Sequence, residues 1–469
     1  MRRAARLAAA VFLGALPAQA PGAAAGPDWR TPAEKSGYET TPRYDETMAY
    51  LRRLAAAAPR RVRIEEFGRT GEGRPLYAVV ASGDGTFEPA ALRRAGRPIV
   101  LIQNAIHAGE VDGKDACLEL LRDMTVSRTR AALLERAVAV VIPVYNADGH
   151  ERFGPYNRIN QNGPREMGWR TQAANLNLNR DYMKADAPET RALLKLWDRW
   201  LPDFYVDDHV TDGSDHGWDV TYALDSGPDV FPAIAAWNRD VAAPTLEREV
   251  RRAGSAIGPY AALVDESDPA RGATLGQDLP RFSTGYAVLR NRPGLLVETH
   301  MLKDYRTRVR GNYALLAALL DLVNRDAAAL VRMNRDADAA TIEAGKSAMR
   351  EPAFPLVVGP DGGTFPFRFP AKRHRREPSD VSGAMRLIYE DEVSEISIPR
   401  PARLAVVRSI AMPRAYIVPP QWSAVIEVLR AHGLRLIETG GAWSGEVGTY
   451  RCEVTGWLLR PFEGRQVLF

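Results

Sequence analysis

His107 and Glu110 stand three residues apart in the stretch Asn104–Glu110, directly after an apolar run that begins at Pro98. An imidazole nitrogen and a carboxylate oxygen at that spacing can converge on one ion from a tight turn, and both donors suit zinc. Gly109 between them would let the backbone pass close to the ion. Alone, the pair serves equally well as a loop hydrogen bond, so a third ligand is needed. His209 closes the apolar stretch Tyr205-Val206-Asp207-Asp208-His209. His216, in the polar loop that follows, is the alternative, but a flexible loop supports a ligand less rigidly. Two histidines, one glutamate and an open position make a catalytic zinc set.

Three further groups have the character of a site. Arg170 follows Trp169, and Arg180 follows Asn179. Arginines gathered near a metal suit recognition of an anion, because the guanidinium offers a two-pronged fork to a carboxylate. Glu298 ends the apolar run Leu295-Leu296-Val297. A carboxylate there is costly as packing and makes sense if it faces a site.

These residues need a frame to hold them. Tyr44, Met48 and Leu51 mark one helical face; 62–67 and 76–81 read as strands joined by the turn 71–75. Continuous apolar runs at Pro98–Ile102, Val138–Val144, Phe204–Val206 and Leu295–Val297 predict buried strands. Helices are predicted around Cys117–Met124, over Pro188–Trp200 and through a long region from about Thr307 to Ala340. Alternating strands and helices predict an α/β sandwich whose sheet carries its site at strand carboxyl ends. The region 213–280 reads as rich in insertions. Beyond about residue 350 prolines and glycines multiply. Short strands at 387–389 and 415–418 and a helix at 423–432 predict a smaller, β-rich domain. Lys372–Arg376 reads there as a solvated loop.

With Trp169-Arg170, Asn179-Arg180, His209 and Glu298 following His107-x-x-Glu110 in that order, the chain resembles the zinc carboxypeptidase family over about residues 40–330. The turn Asn146–Gly149 is also similar to that family's Asn-Pro-Asp-Gly, with Ala147 in place of proline. The resemblance implies a mixed, roughly eight-stranded sheet in a three-layer αβα sandwich, and one zinc ion on His107, Glu110 and His209. It implies Glu298 as general base, Arg170 as the stabiliser of the oxyanion, and Asn179 and Arg180 as the clamp on a substrate's C-terminal carboxylate. The implied activity is release of C-terminal residues from peptides or proteins. The sequence departs in two places. Asn177 stands where the family has an acid orienting a zinc histidine, and the mobile substrate tyrosine has only Tyr286 as a candidate. Hydrolysis of cell-wall peptides stays open as an alternative, as does a non-catalytic peptide-binding module, which retention of every ligand and of Glu298 disfavours.

The bulk composition adds limits. The net charge is +4, and Arg2, Arg3 and Arg6 supply three of those charges, so no nucleic-acid partner is implied. A basic start, an apolar run from Leu7 to Leu16 and Ala18-Gln19-Ala20 read as a secretory signal peptide over 1–25. No other segment reads as membrane-spanning, which predicts a secreted or periplasmic protein. The catalytic domain is expected over 26–345 and the β-rich domain over 346–469. Its apolar end, Val467-Leu468-Phe469, reads as a truncated C-terminus. Two cysteines, Cys117 and Cys452, are expected to stay unpaired. Preference for the terminal residue and oligomeric state are not readable.

Overall fold

The computed structural model describes residues 27–468 apart from 277, 347–353, 452, 454–455 and 464. The segment 1–25 and Cys452 therefore lie outside the described residues. Eight strands form one mixed sheet: β1 (Val62–Arg69), β2 (Pro75–Ala81), β3 (Ile99–Asn104), β4 (Val138–Ile142), β5 (Phe204–Thr211), β6 (Val220–Leu224), β7 (Ile257–Pro259) and β8 (Gly294–His300). Their spatial order is β1-β2-β4-β3-β5-β8-β6-β7. β4, β3, β5 and β8 run parallel, while β2 joins β4 and β6 joins β8 in antiparallel fashion.

The central strands are apolar throughout because both faces are covered. In β3, Val100 and Ile102 enter one core cluster while Ile99 and Leu101 enter the other, as the two-residue strand period requires. On the first face sit Met48, Leu51 and Leu54 of the helix Tyr44–Ala57, Cys117, Leu121 and Met124 of Asp112–Thr125, and Leu315 and Leu319 of Tyr305–Arg325. On the second sit Leu193, Trp197 and Trp200 of the helix Pro188–Trp200, and Ala287 of Ser283–Leu289. This is the three-layer αβα sandwich expected. Each such side chain taken fully out of water contributes about 1.5–3 kcal/mol. Cys117 is buried in the core and forms no disulfide.

Pro188 at the first helical position and Leu201 in the left-handed region (φ +44°) bound their helix where the sequence places it. The helical region expected over about 307–340 consists of two helices, Tyr305–Arg325 and Ala327–Lys346. Asp326 caps the first, its amide bonded to the Leu322 carbonyl, and its carboxylate accepts from Trp237 Nε1 at 3.1 Å.

Beyond residue 353, β9 (Phe354–Pro360) pairs with β12 (Leu404–Ile410), and β10 (Thr364–Pro378) forms a long hairpin with β11 (Met385–Pro401). Lys372–Arg376 lies within β10, so it is strand rather than loop. Its charges are matched by Glu390 and Glu392 on β11 and by Asp215 of the sandwich. Residues 387–389 lie in β11, 415–418 form no strand, and the predicted helix spans Ser423–Ala431. Phe367, Phe369 and Ile398 of the hairpin pack with Leu263 and Ala273.

Candidate active site

β3 delivers the first two groups. Immediately after it, Ala105 takes φ +55°, a left-handed conformation uncommon for a residue with a side chain. Asn146 secures this turn: its amide donates to the Ala105 carbonyl and its Nδ2 to the Ile106 and Arg170 carbonyls. Asn146 also caps the short helix Ala147–Glu151. Gly109 is closely packed. A Cβ there would fall 2.8 Å from both the Gly168 carbonyl oxygen and Arg158 Cδ.

The turn brings His107 and Glu110 to His209, so that one donor atom from each lies within 4.8 Å of the others. All three residues are buried. The two imidazole rings are 5.0 Å apart between centroids. Glu110 Oε2 lies 3.0 Å from His209 Nδ1 and accepts from the Val210 amide at 2.9 Å. His107 Nδ1 has no partner among the described residues despite its burial. Two imidazoles and a carboxylate, with an orphaned ring nitrogen, fit a zinc ion. Burial opposes charge on Glu110, yet Arg158, His107 and His209 hold its carboxyl well below the usual range. Burial likewise opposes charge on His209, yet Asp207 and Glu110 hold that ring well above its ordinary value.

Two further residues lie against these ligands. Asp207 Oδ2 lies 2.8 Å from His209 Nε2 and accepts from Ser283 Oγ. It contacts the ring that an acid at position 177 would orient in the family, where this chain has Asn177. Asn177 instead accepts from the Asn179 amide at 3.0 Å and caps the short turn Leu178–Arg180. Arg158 donates to Glu110 Oε1 at 2.6 Å, to the Val210 carbonyl at 2.8 Å and to Gln161 Oε1 at 2.6 Å. Asp207 was legible in principle, since it sits one strand period before His209. Arg158 had no local signal.

Glu298 lies on β8 opposite His209 of β5. Its Oε2 is buried with no hydrogen-bond partner among the described residues. Burial raises its pKa to about 8; Glu110 and Asp207 add to the rise, while His209 and Arg158 oppose it.

Residues 47–213 match the model of the zinc carboxypeptidase family. The matched segment belongs to that family. It spans the three metal-facing residues and ends before Glu298. The chain is 25% identical over 420 residues to a probable carboxypeptidase 2 of Trichophyton verrucosum, covering 87% of this chain and 74% of that one. It is 23% identical over 436 residues to carboxypeptidase 2 of Trichophyton rubrum, covering 87% and 71%. Among solved structures, carboxypeptidase A of Helicoverpa armigera aligns with TM-score 0.45 and 18% identity over 62% of this chain and 74% of that one. The protein is a metallocarboxypeptidase-type hydrolase with zinc as its cofactor.

Around the metal-facing residues, Arg170 directs Nη1 to Glu110 Oε1 at 3.3 Å and keeps 39% of its side chain in solvent. Asn179 is buried, with Nδ2 3.4 Å from His209 Nε2 and Oδ1 accepting from the Ser283 amide. Arg180 is half-buried over the Phe282 ring, 4.3 Å from its centroid, and donates to the Asn179 carbonyl. Tyr286 is not at the mouth of this site. The helix Ser283–Leu289 turns it into the apolar layer with Tyr182 and Trp197, where its hydroxyl meets His432 Nδ1 and Arg290. His216 packs against His300 and Phe369, away from the metal-facing group. His150 is buried beside Lys114 and Glu151.

Proposed function

We propose that the protein removes C-terminal residues from peptides or proteins, with His107, Glu110 and His209 holding zinc and Glu298 acting as general base. The observation that carries this reading is the placement of Glu298, one register position across the sheet from His209, with an unpartnered oxygen. Bound there, zinc would supply Lewis acidity that polarises a scissile carbonyl and eases deprotonation of a water molecule.

The remaining steps fall to the chain's own groups. Glu298 takes the proton from water at its carboxylate and hands it to the leaving amine. A carboxyl whose ordinary pKa is pushed upward by burial is suited to both halves of that transfer. Arg170, with one nitrogen directed to Glu110 and its side chain part-exposed, stabilises the oxyanion as charge develops. Arg180 and Asn179 receive the substrate's terminal carboxylate, which confines cleavage to the last peptide bond. Phe282 beneath Arg180 and the Asn179 carbonyl beside it fix the guanidinium in one orientation, so little freedom is lost on binding.

The unit that performs this chemistry is assigned to 26–345, with 346–469 as the β-rich domain. Export from the cytoplasm is proposed from the basic and apolar N-terminal pattern alone. Among the described residues, no helix is long and apolar enough to cross a membrane.

Peptides that differ only in a free or an amidated C-terminus test the exopeptidase reading, with products followed by mass spectrometry. The free acid should be cleaved better by about 100-fold or more, because buried donors built for a carboxylate reject an analogue that lacks it. Equal cleavage would remove the clamp from the mechanism.

A further inference from the structure

The helix Ser423–Ala431 leads into an arm that returns to the active site. Residues 457–468 fold back on themselves through the bridges Trp457–Leu468 and Phe462–Arg465. At the tip, Glu463 takes φ +47°, a left-handed turn that few residues with side chains adopt. Its carboxylate is directed between Arg180, of the proposed carboxylate clamp, and Arg170, the proposed oxyanion stabiliser. Glu463 Oε2 lies 2.9 Å from Arg180 Nε, and Oε1 lies 3.5 Å from Arg170 Nη2. The Glu463 side chain is only 20% exposed.

The arm is held along the loop that follows the clamp. Arg465 pairs with Asp186. His432, just past the helix, directs Nε2 to the Met183 carbonyl at 3.1 Å and Nδ1 to the Tyr286 hydroxyl at 3.1 Å. Arg290 Nη1 donates to the His432 carbonyl at 3.4 Å. Two of these contacts, at Met183 and Asp186, sit a few residues after Arg180, and the other two fix His432 to Tyr286 and Arg290.

We propose that this hairpin is a resident substrate mimic. The Glu463 carboxylate occupies the place of a peptide's C-terminal carboxylate on Arg180, with its other oxygen toward Arg170, and a substrate must displace it before cleavage. The inference rests on the reading of Arg180 and Asn179 as a carboxylate clamp. The physical basis is exclusion: two anions cannot both take the same guanidinium prongs. A tethered competitor is always present at high effective concentration. It therefore lowers apparent affinity by the fraction of time the clamp is open. Once a substrate is seated, the arm is out of the way and the chemical step is unchanged.

The test uses the full chain loaded with zinc and a blocked dipeptide, either as free acid or as C-terminal amide. Glu463→Gln should lower KM for the free acid by about 5- to 20-fold with kcat unchanged, since a neutral amide is a poor rival for a carboxylate. The product carboxylate should inhibit that variant more tightly by a similar factor. The weak cleavage of the amide should not move. Arg465→Ala, which loosens the arm and leaves Glu463 in place, should shift KM in the same direction. Unchanged or raised KM in both variants would overturn the mimic while leaving the clamp intact. If the parent protein cleaves acid and amide equally, the clamp itself is wrong and the mimic falls with it.

Discussion

His209 and Glu298 are register partners on the adjacent parallel strands β5 and β8. Partners in register place their side chains on the same face of a sheet. Asp207, two residues before His209, shares that face, whereas Asp208 turns to the other side beside Cys117 and Gly113. One stretch of sheet thus presents a ligand, its orienting acid and a candidate base together, with no loop needed to close the distance.

That arrangement makes Glu298→Gln the sharpest probe of the chemistry. Glutamine matches glutamate in shape but cannot accept the water's proton. Hydrolysis should fall by about 10²- to 10⁴-fold, while elemental analysis still finds zinc near one atom per chain. Activity close to that of the parent would exclude Glu298 as the base.

The metal site yields a second expectation, which separates Asp207 from Asn177. Asp207 contacts His209 Nε2 directly, whereas Asn177 only caps a turn. Loss of an orienting carboxylate costs about 10- to 100-fold in metal affinity. Asp207→Asn should weaken zinc by that factor in competition with a chromophoric chelator, and Asn177→Ala should leave affinity near the parent value. The reverse ranking would restore position 177 to the orienting role.

Much of the sandwich was legible because its signals are local. Buried parallel strands are uninterrupted apolar runs, and β3, β4, β5 and β8 stand out for that reason. Pro188 and the residues after it define their helix without outside help. What escaped depended on distant partners. Arg158 is an ordinary arginine until the fold brings it to Glu110, 48 residues earlier. Lys372–Arg376 reads as solvated loop until β11 supplies opposing glutamates across the ladder. Tyr286 misled because closeness to Glu298 along the chain says nothing of direction. The helix Ser283–Leu289 turns it to the core, while Ser283 at that helix's start reaches Asp207.

Buried charge far from the reaction sets a third expectation. Arg308 is fully buried, with Nε donating to Asp112 Oδ2 at 2.8 Å. Its other nitrogens donate to the carbonyls of Asn162, Gly163, Met301 and Lys303. One side chain thus ties the loop that carries Arg158 to the end of β8. Arg308→Met leaves the Asp112 carboxylate with Thr299 alone. Removing one partner of a buried pair costs about 3–5 kcal/mol. Urea unfolding should show a loss of that order, and adding Asp112→Asn should recover part of it. A loss under about 1 kcal/mol would mean that water enters and solvates the remaining charge.

A fourth expectation concerns pH and Glu119, on the buried side of the helix Asp112–Thr125. Burial raises its carboxyl to about 7, and Glu34 adds like charge against the lowering effects of Tyr38 and Arg122. The Tyr38 hydroxyl donates to Glu119 Oε1 at 3.0 Å. A carboxyl raised above its unfolded value holds its proton longer in the folded state, so the folded state binds more protons between the two pKa values. Stability from this group is therefore greatest below about pH 4.5 and falls as pH rises toward 7. Glu119→Gln mimics the protonated form at every pH. Parent and variant should unfold at similar denaturant concentrations at pH 4.5–5. At pH 8 the variant should be the more stable by as much as roughly 3 kcal/mol, the free-energy equivalent of raising that carboxyl from its ordinary value to about 7. Each denaturation curve gives the comparison directly, since the other titrating groups are common to both proteins. A gap that does not grow with pH would mean that Glu119 is ionised throughout, stabilised by Arg122 rather than strained by its burial.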